Sequence, residues 1–236
     1  MKKTLTLPLV IVLFFFTSCA SYVVNKIGLN DKSPFCEKLI FNDKEVYFLG
    51  MMHLASNEFY ENTRKIIADF QQRDFIFFVE LVAEKNKLVD TFNLRKIRKL
   101  TGLDLTLKYS QNNNPILRNI IKKYNLIDQP KYSNLGLLNY TRTDLSPSEM
   151  INLYEKKYTP VLLDSCDLIT KLGESYNCKT NTNLRNIFTE EIIIIKRNKL
   201  IINAIINSND KKIVVIYGKA HYEGIVKELK MLKNNN

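Results

Sequence analysis

The stretch from Glu45 to Leu81, EVYFLGMMHLASNEFYENTRKIIADFQQRDFIFFVEL, decides the fold. It opens with an apolar run rich in β-branched and aromatic residues, which predicts a strand. Ser56 stands at the N-cap of a predicted helix whose apolar residues recur at helical spacing. The run from Asp74 to Leu81 is apolar almost throughout, as in a strand covered on both faces. Strand, helix and strand in this order predict a βαβ unit with two parallel strands.

The chain contains two histidines, and each ends a GxxH tetrapeptide. Gly50 to His53 follows the first strand, and Gly218 to His221 follows a third apolar run, Lys212 to Tyr217, which predicts another strand. With 7 glycines in 236 residues, a chance repeat of this pattern would be rare. Glycine lacks a Cβ and so permits a tight turn and a close backbone approach at a strand end. Because ligands bind at the carboxyl edge of parallel strands, we expect both histidines to meet there with Glu80, the acid that ends the second strand.

Two neutral imidazoles and one carboxylate are a common ligand set for a divalent transition metal that keeps a position open for water or substrate. Such a metal lowers the pKa of its bound water to about 7 and polarises a carbonyl, which is the usual basis of hydrolysis. Structural alternatives remain: a strand-end histidine is often only hydrogen-bonded, and Glu80 could be a solvated carboxylate. Arg197 interrupts the apolar stretch from Ile192 to Ile206, and it is either a buried partner of Glu80 or part of a polar helix face.

The N-terminus has the layout of a secretory signal, with Lys2 and Lys3 followed by an apolar run from Leu5 to Phe16. The residues up to Cys19 resemble a bacterial lipobox, in which the cysteine is lipidated and becomes the first residue. We therefore expect a signal peptide at residues 1–18, a lipid anchor on Cys19 and a tether that extends to residue 37. Ala20, rather than an aspartate, follows the cysteine, which by sorting rules indicates the outer membrane of the cell envelope.

The remaining residues, 38–233, suit one domain with a helical insertion at about 84–182. The segment from Asn183 to Asn207 is interpreted as a buried helix despite its run of isoleucines. The formal net charge is +11, but the basic residues are spread along the chain, so we expect anionic lipid or acidic ligands rather than nucleic acid as partners. Cys166 and Cys178 either close a short loop or are, like Cys36, unpaired thiols.

At the motif residues the chain resembles the TraB/PrgY, GumN and TIKI group, in which two GxxH motifs stand near the two ends of the domain. In that group a glutamate ends the second core strand, as Glu80 does here in FFVEL, and an arginine-containing helix precedes the last motif, as Arg197-Asn198 does. The match covers about Glu45 to Glu228. The segment from Asp144 to Met150, which has the pattern of a capping box, also resembles a helix start in GumN-like proteins.

The resemblance implies an α/β fold with a mixed, mostly parallel central sheet flanked by helices, related to the erythromycin esterase and ChaN folds. It implies a metal-dependent hydrolase that acts on peptide bonds or on a small molecule. His53, Glu80 and His221 would hold a Mn, Co or Zn ion, and Glu80 and Arg197 would be catalytic, with Arg197 at the oxyanion or at a substrate carboxylate. One alternative is a non-catalytic lipoprotein that binds haem or a metal ion, as the ChaN resemblance allows. Another is a surface or signalling lipoprotein whose motifs only shape the sheet edge.

Overall fold

The computed structural model describes residues 28–84, 90–111 and 114–234. The predicted signal peptide, the lipidation site Cys19 and the first part of the predicted tether lie outside the described residues. Within the described ranges, no helix is both long enough and apolar enough to cross a membrane.

A five-stranded sheet forms the centre of the fold, and a separate antiparallel pair lies beside it. The strands are β1 (Phe35–Phe41), β2 (Lys44–Met51), β3 (Leu54–Ser56), β4 (Ile76–Val79), β5 (Leu126–Asp128), β6 (Thr141–Arg142) and β7 (Lys212–Gly218). The central order is β1-β2-β7-β4-β6, and β3 pairs with β5. In the central sheet β1 is antiparallel to β2, while the β2–β7, β7–β4 and β4–β6 pairs are parallel. The predicted mixed and mostly parallel sheet flanked by helices is confirmed.

Eight α-helices surround the sheets in the described part of the chain. They are α1 (Asn57–Gln72), α2 (Thr91–Thr101), α3 (Pro115–Tyr124), α4 (Pro147–Lys157), α5 (Ser165–Ile169), α6 (Thr182–Ile187), α7 (Arg197–Asn207) and α8 (Tyr222–Asn234). Ser56 caps α1 by accepting a hydrogen bond from the backbone N–H of Phe59 at 3.2 Å, as the sequence predicts.

Both faces of the central sheet are covered, which explains why β7 is apolar at consecutive positions. Val214 and Ile216 of β7 pack in a core with α1, whereas Ile213 and Val215 pack in a second core with α7 and α8. The βαβ pattern predicts that β2 and β4 are parallel, and in the structure they lie on either side of β7 rather than next to each other. This arrangement brings the carboxyl ends of all three strands to one edge.

Two predicted boundaries differ from the structure. The segment predicted as a helical insertion contains strands β5 and β6, and β6 joins the central sheet next to β4. Strands of two or three residues are too short to show the alternation that marks a strand in sequence. The folded region also begins earlier than residue 38, because β1 starts at Phe35 and Leu29 is buried in a cluster with Leu54 and Leu126.

The segment predicted as one helix, Asn183 to Asn207, is helical, with a π-helical portion from Phe188 to Lys196 between α6 and α7. Such portions recur near functional sites, and this one ends immediately before Arg197. Cys166 and Cys178 form a disulfide, which decides between the two alternatives left open by the sequence. Cys36 is a free, exposed cysteine.

Candidate functional site

Arg197 is the centre of a buried charge cluster at the carboxyl edge of the sheet. Its Nε donates to Oδ1 of Asp144 at 2.7 Å, and its Nη2 donates to Oδ2 of Asp144 at 2.9 Å and to Oε1 of Glu80 at 2.5 Å. The Arg197 side chain is 4% exposed. The sequence left open whether Arg197 is a partner of Glu80 or part of a polar helix face. The structure places it with Glu80, in the environment that a buried guanidinium requires.

Glu80 follows β4 directly, and its backbone N–H donates to the carbonyl of Ile216 in β7 at 2.9 Å. Its second carboxylate oxygen, Oε2, accepts a hydrogen bond from the backbone N–H of Gly218. Burial alone would raise the pKa of Glu80, but Arg197 and the Gly218 N–H hold it below its usual value. Glu80 is therefore an ionised carboxylate with both oxygens engaged.

Asp144 is the acid of this cluster that the sequence analysis did not single out. It follows β6, and its side chain has no exposed surface. Arg197 binds it through a bidentate pair of hydrogen bonds. Burial raises the pKa of Asp144 despite the hydrogen bonds from Arg197. Two carboxylates thus share one guanidinium, and this arrangement fixes the position of Arg197.

His221 is buried in a short 3-10 turn between β7 and α8. Its Nδ1 lies 2.6 Å from Oδ1 of Asn198, and an amide oxygen accepts, so Nδ1 carries the hydrogen and Nε2 has the lone pair. Nε2 lies 3.5 Å from Nη1 of Arg197. A Cβ on Gly224 would come within 2.4 Å of Nδ2 of Asn198, so a glycine at this position of α8 lets the amide reach the imidazole.

His53 lies in a different environment from His221. It is exposed, it follows β2 in the loop before β3, and its ring stacks on Tyr109 with 5.2 Å between the ring centroids. Its carbonyl accepts a hydrogen bond from the backbone N–H of Gln129 at 2.9 Å. The two GxxH motifs therefore supply one accessible imidazole and one buried imidazole.

The two motif glycines also differ. A Cβ on Gly218 would meet Oε2 of Glu80 at 3.1 Å, which is closer than an ordinary contact, so glycine here allows the approach to Glu80. A Cβ on Gly50 would make ordinary contacts at 3.4 to 3.5 Å with Phe35 and Lys219. Neither glycine has a positive φ. The predicted close approach holds for Gly218, whereas Gly50 does not need the freedom of a glycine.

A cavity of about 1480 Å³ opens over this edge of the sheet. His53, Glu80, Gly218 and Arg197 lie on its wall, about half of the lining residues have apolar or aromatic side chains, and the larger part of the lining surface is apolar. Large apolar cavities with a few converging polar groups are the usual form of a ligand site.

The three predicted metal ligands do not fit a shared ion in this arrangement. The guanidinium of Arg197 is hydrogen-bonded to Glu80 and lies beside Nε2 of His221, so a positive charge already stands between these two donors. The guanidinium would repel a divalent ion placed there, and the ion would compete with Arg197 for Oε1 of Glu80. Across residues 28–84, 90–111 and 114–234, no three His, Cys, Asp or Glu side chains are grouped so as to hold a metal ion.

The burial of His221 predicts a pH-dependent stability. Its pKa is lowered from the usual 6.5 to about 4, mainly by burial and also by Arg197 and His53, against the opposing effect of Glu80. Between these two values the unfolded chain binds more protons than the folded chain, so stability falls as the pH is lowered from 6.5 towards 4. We expect a loss of about 3 kcal/mol in the free energy of unfolding that is absent in His221→Gln. Urea titrations of both proteins at several pH values measure the difference, and parallel curves would contradict the assignment.

Several residues of the site were given no role by the sequence analysis. Asn198 interrupts the same apolar stretch as Arg197, and this was a usable signal. Tyr132 donates its hydroxyl to the carbonyl of Glu80 at 2.8 Å, and Tyr217 donates to the carbonyl of Thr143 at 2.7 Å. Asp144 and Tyr217 stand in segments that the sequence analysis quoted, but only the folded chain reveals their contacts at the site.

Comparison of the chain with protein-family models, with curated proteins and with solved structures gives no significant match. The geometry of the cavity and of the Arg197 cluster is therefore the basis for assigning a function.

Proposed function

We propose that the chain is a membrane-anchored hydrolase of the TraB, GumN and TIKI type that adds water to the carbonyl of an ester or amide, peptide bonds included. The observation that carries the proposal is Arg197, a buried guanidinium on the cavity wall that two carboxylates hold in place. A lipid on Cys19 would keep the enzyme in the cell envelope, at the outer membrane, where the basic chain meets anionic lipid.

Arg197 would bind the oxygen on which negative charge develops. Its Nε and Nη2 are engaged with carboxylates, whereas Nη1 has one contact among the described residues, the 3.5 Å approach to His221. Nη1 therefore has a donor available for a carbonyl oxygen in the cavity. A donor that is already fixed before the reaction stabilises the transition state without the cost of reorientation.

His53 would act as the general base that removes a proton from the attacking water. It is an accessible imidazole on the same cavity wall, and its ring orientation is restrained by the stacking on Tyr109. Imidazole is the side chain used most often for proton transfer near neutral pH. Glu80, Asp144 and His221 are positioning residues in this scheme, because each of them contacts Arg197. Of the three, Glu80 also lies on the cavity wall.

The second candidate is the non-catalytic binding of haem. The cavity is large enough for a broad planar ligand, and His53 offers an accessible imidazole beside an aromatic ring. Addition of haem to the purified chain would then give an absorbance band that shifts in His53→Ala. Without such a band, the hydrolase remains the better account.

The hydrolase is tested by the release of chromophores from acyl esters and from short peptide amides. We expect His53→Asn to lower kcat/KM by a factor of about a hundred or more, because the general base is lost while the exposed position tolerates the change. Arg197→Lys should also lower kcat, because lysine keeps the positive charge but lacks the separate N–H donors with which the guanidinium binds both carboxylates. Arg64→Met, which changes a partly exposed arginine of α1 outside the cavity lining, is the matched control. Equal rates in wild type and His53→Asn would contradict the proposal.

A further inference from the structure

Large apolar side chains on the cavity lining are exposed to solvent, and the surface that they form is here called the rim. Its five residues line the cavity and are also exposed, with Leu138 at 75%. The rim consists of Leu103, Leu105, Tyr109, Leu138 and Tyr140. Large apolar side chains that are exposed together indicate a surface that contacts an apolar partner.

Basic residues lie on the same stretch of chain as the rim. Lys108 and Lys131 also line the cavity, and α3 begins there, since Asn114 and Pro115 belong to the lining. The half-buried side of α3 packs on Leu54 and its neighbours, whereas the exposed side carries basic residues. Between Gly102 and Tyr140 the chain has five basic and two acidic residues: Lys108, Arg118, Lys122, Lys123 and Lys131 against Asp104 and Asp128.

The two acids of this segment are already engaged. Asp104 pairs with Arg98 at 3.1 Å, and Asp128 accepts hydrogen bonds from the backbone N–H and the hydroxyl of Ser110. Glu174 is an exposed acid on the cavity lining, and it belongs to a different loop. The rim and α3 therefore present apolar side chains together with the exposed lysines Lys108, Lys122, Lys123 and Lys131.

We propose that the rim docks on an anionic phospholipid bilayer and that the cavity takes up the acyl chain of an amphipathic ester or amide from it. Leucine and tyrosine side chains enter the boundary between headgroups and acyl chains, while lysines beside them bind the anionic headgroups. The cavity, at about 1480 Å³, is larger than the roughly 300 to 1000 Å³ of typical small-molecule sites, and its lining is mostly apolar. The docking stands by itself, whereas the ester or amide as substrate rests on the proposed hydrolase.

The chain has no tryptophan of its own, so one introduced tryptophan reports on one position. Leu138→Trp places the reporter on the rim, and Leu162→Trp places it at a leucine that is 78% exposed and outside the cavity lining. The full chain is mixed with vesicles of phosphatidylglycerol and phosphatidylcholine, or of phosphatidylcholine alone. A lipid anchor would attach both variants equally, so a difference between them reports the orientation of the rim.

With the anionic vesicles, we expect the Leu138→Trp emission to move to shorter wavelength and to be quenched about twofold or more by brominated acyl chains. The Leu162→Trp emission should stay unchanged. Exchange of both Lys122 and Lys123 for glutamate should weaken the Leu138→Trp response. Equal responses of the two reporters, or no response at Leu138, would overturn the docking. A concentration-dependent shift at Leu138 without vesicles would assign the rim to a second copy of the chain and would also overturn it.

The substrate class has a separate readout. Hydrolysis of esters that increases with acyl-chain length and with added anionic vesicles supports uptake of an acyl chain. Hydrolysis of short soluble esters alone would overturn the acyl-chain assignment and leave the hydrolase standing. Docking without hydrolysis of any ester or amide would overturn the substrate assignment together with the proposed function, while the docking itself would stand.

Discussion

Replacing Arg197 with methionine is expected to lower the free energy of unfolding by about 3 to 5 kcal/mol. The change leaves the carboxylates of Glu80 and Asp144 in a buried site without the cation that binds both of them. Uncompensated buried charge costs more than the lost contacts alone. Urea titration at neutral pH measures the effect, and Arg64→Met serves as a control with an expected change within about 1 kcal/mol.

The pH dependence of this variant gives a second criterion. Without Arg197, the folded-state pKa values of both acids rise above their unfolded values. Their protonation then stabilises the fold at low pH, and this stabilisation is lost as the pH rises through the raised values. The difference in the free energy of unfolding between wild type and Arg197→Met should therefore become smaller as the pH is lowered. A deficit that is the same at every pH, or smaller than that of Arg64→Met, would contradict a buried charge cluster.

Replacing Arg98 with methionine is expected to lower the free energy of unfolding by a similar amount, about 3 to 5 kcal/mol. The Arg98 side chain is fully buried, and it pairs with Asp104 and donates to the carbonyls of Asp167, Thr170 and Lys171. It thus joins α2 to the turn at Asp104 and to the loop closed by the disulfide. Residues of that turn and of that loop form part of the cavity wall.

Arg95 provides the matched control for this prediction. It donates to the carbonyls of Asp167 and Thr170, as Arg98 does, but it is only half-buried and pairs with no carboxylate among the described residues. Arg95→Met should therefore lower the free energy of unfolding by about 1 kcal/mol. Amide hydrogen exchange should become faster at residues 103–107 and 171–177 in Arg98→Met. Equal costs for the two variants would show that Arg98 is not the residue that holds these loops together.

The main strands could be predicted because their residues carry strong local signals. β2, β4 and β7 are apolar runs of β-branched and aromatic residues, and the cap at Ser56 fixes the helix between the first two. β6 has two residues and shows no such signal, although it brings Asp144 to the site. Its place is decided by pairing with β4, which is a long-range contact that local patterns do not encode.

The functional residues were predictable in identity but not in environment. Both histidines stand in the same motif, yet packing against α7 buries His221 with Asn198 while His53 stays exposed at the cavity. The sequence offered Arg197 as a possible partner of Glu80, but it did not indicate that Arg197 would also lie against His221. A short motif determines the local position of a side chain at the end of a strand. The neighbours that determine its charge and accessibility come from distant segments of the chain.

The metal content of the purified chain after incubation with Mn²⁺, Co²⁺ or Zn²⁺ tests the central claim most directly. If Arg197 holds Glu80 beside His221 as described, elemental analysis after removal of free metal should find far less than one ion per chain. The chain should bind no more metal than its His53→Ala and His221→Ala variants. One tightly bound ion per chain that is lost in both variants would contradict this account and would restore the metal site expected from the sequence.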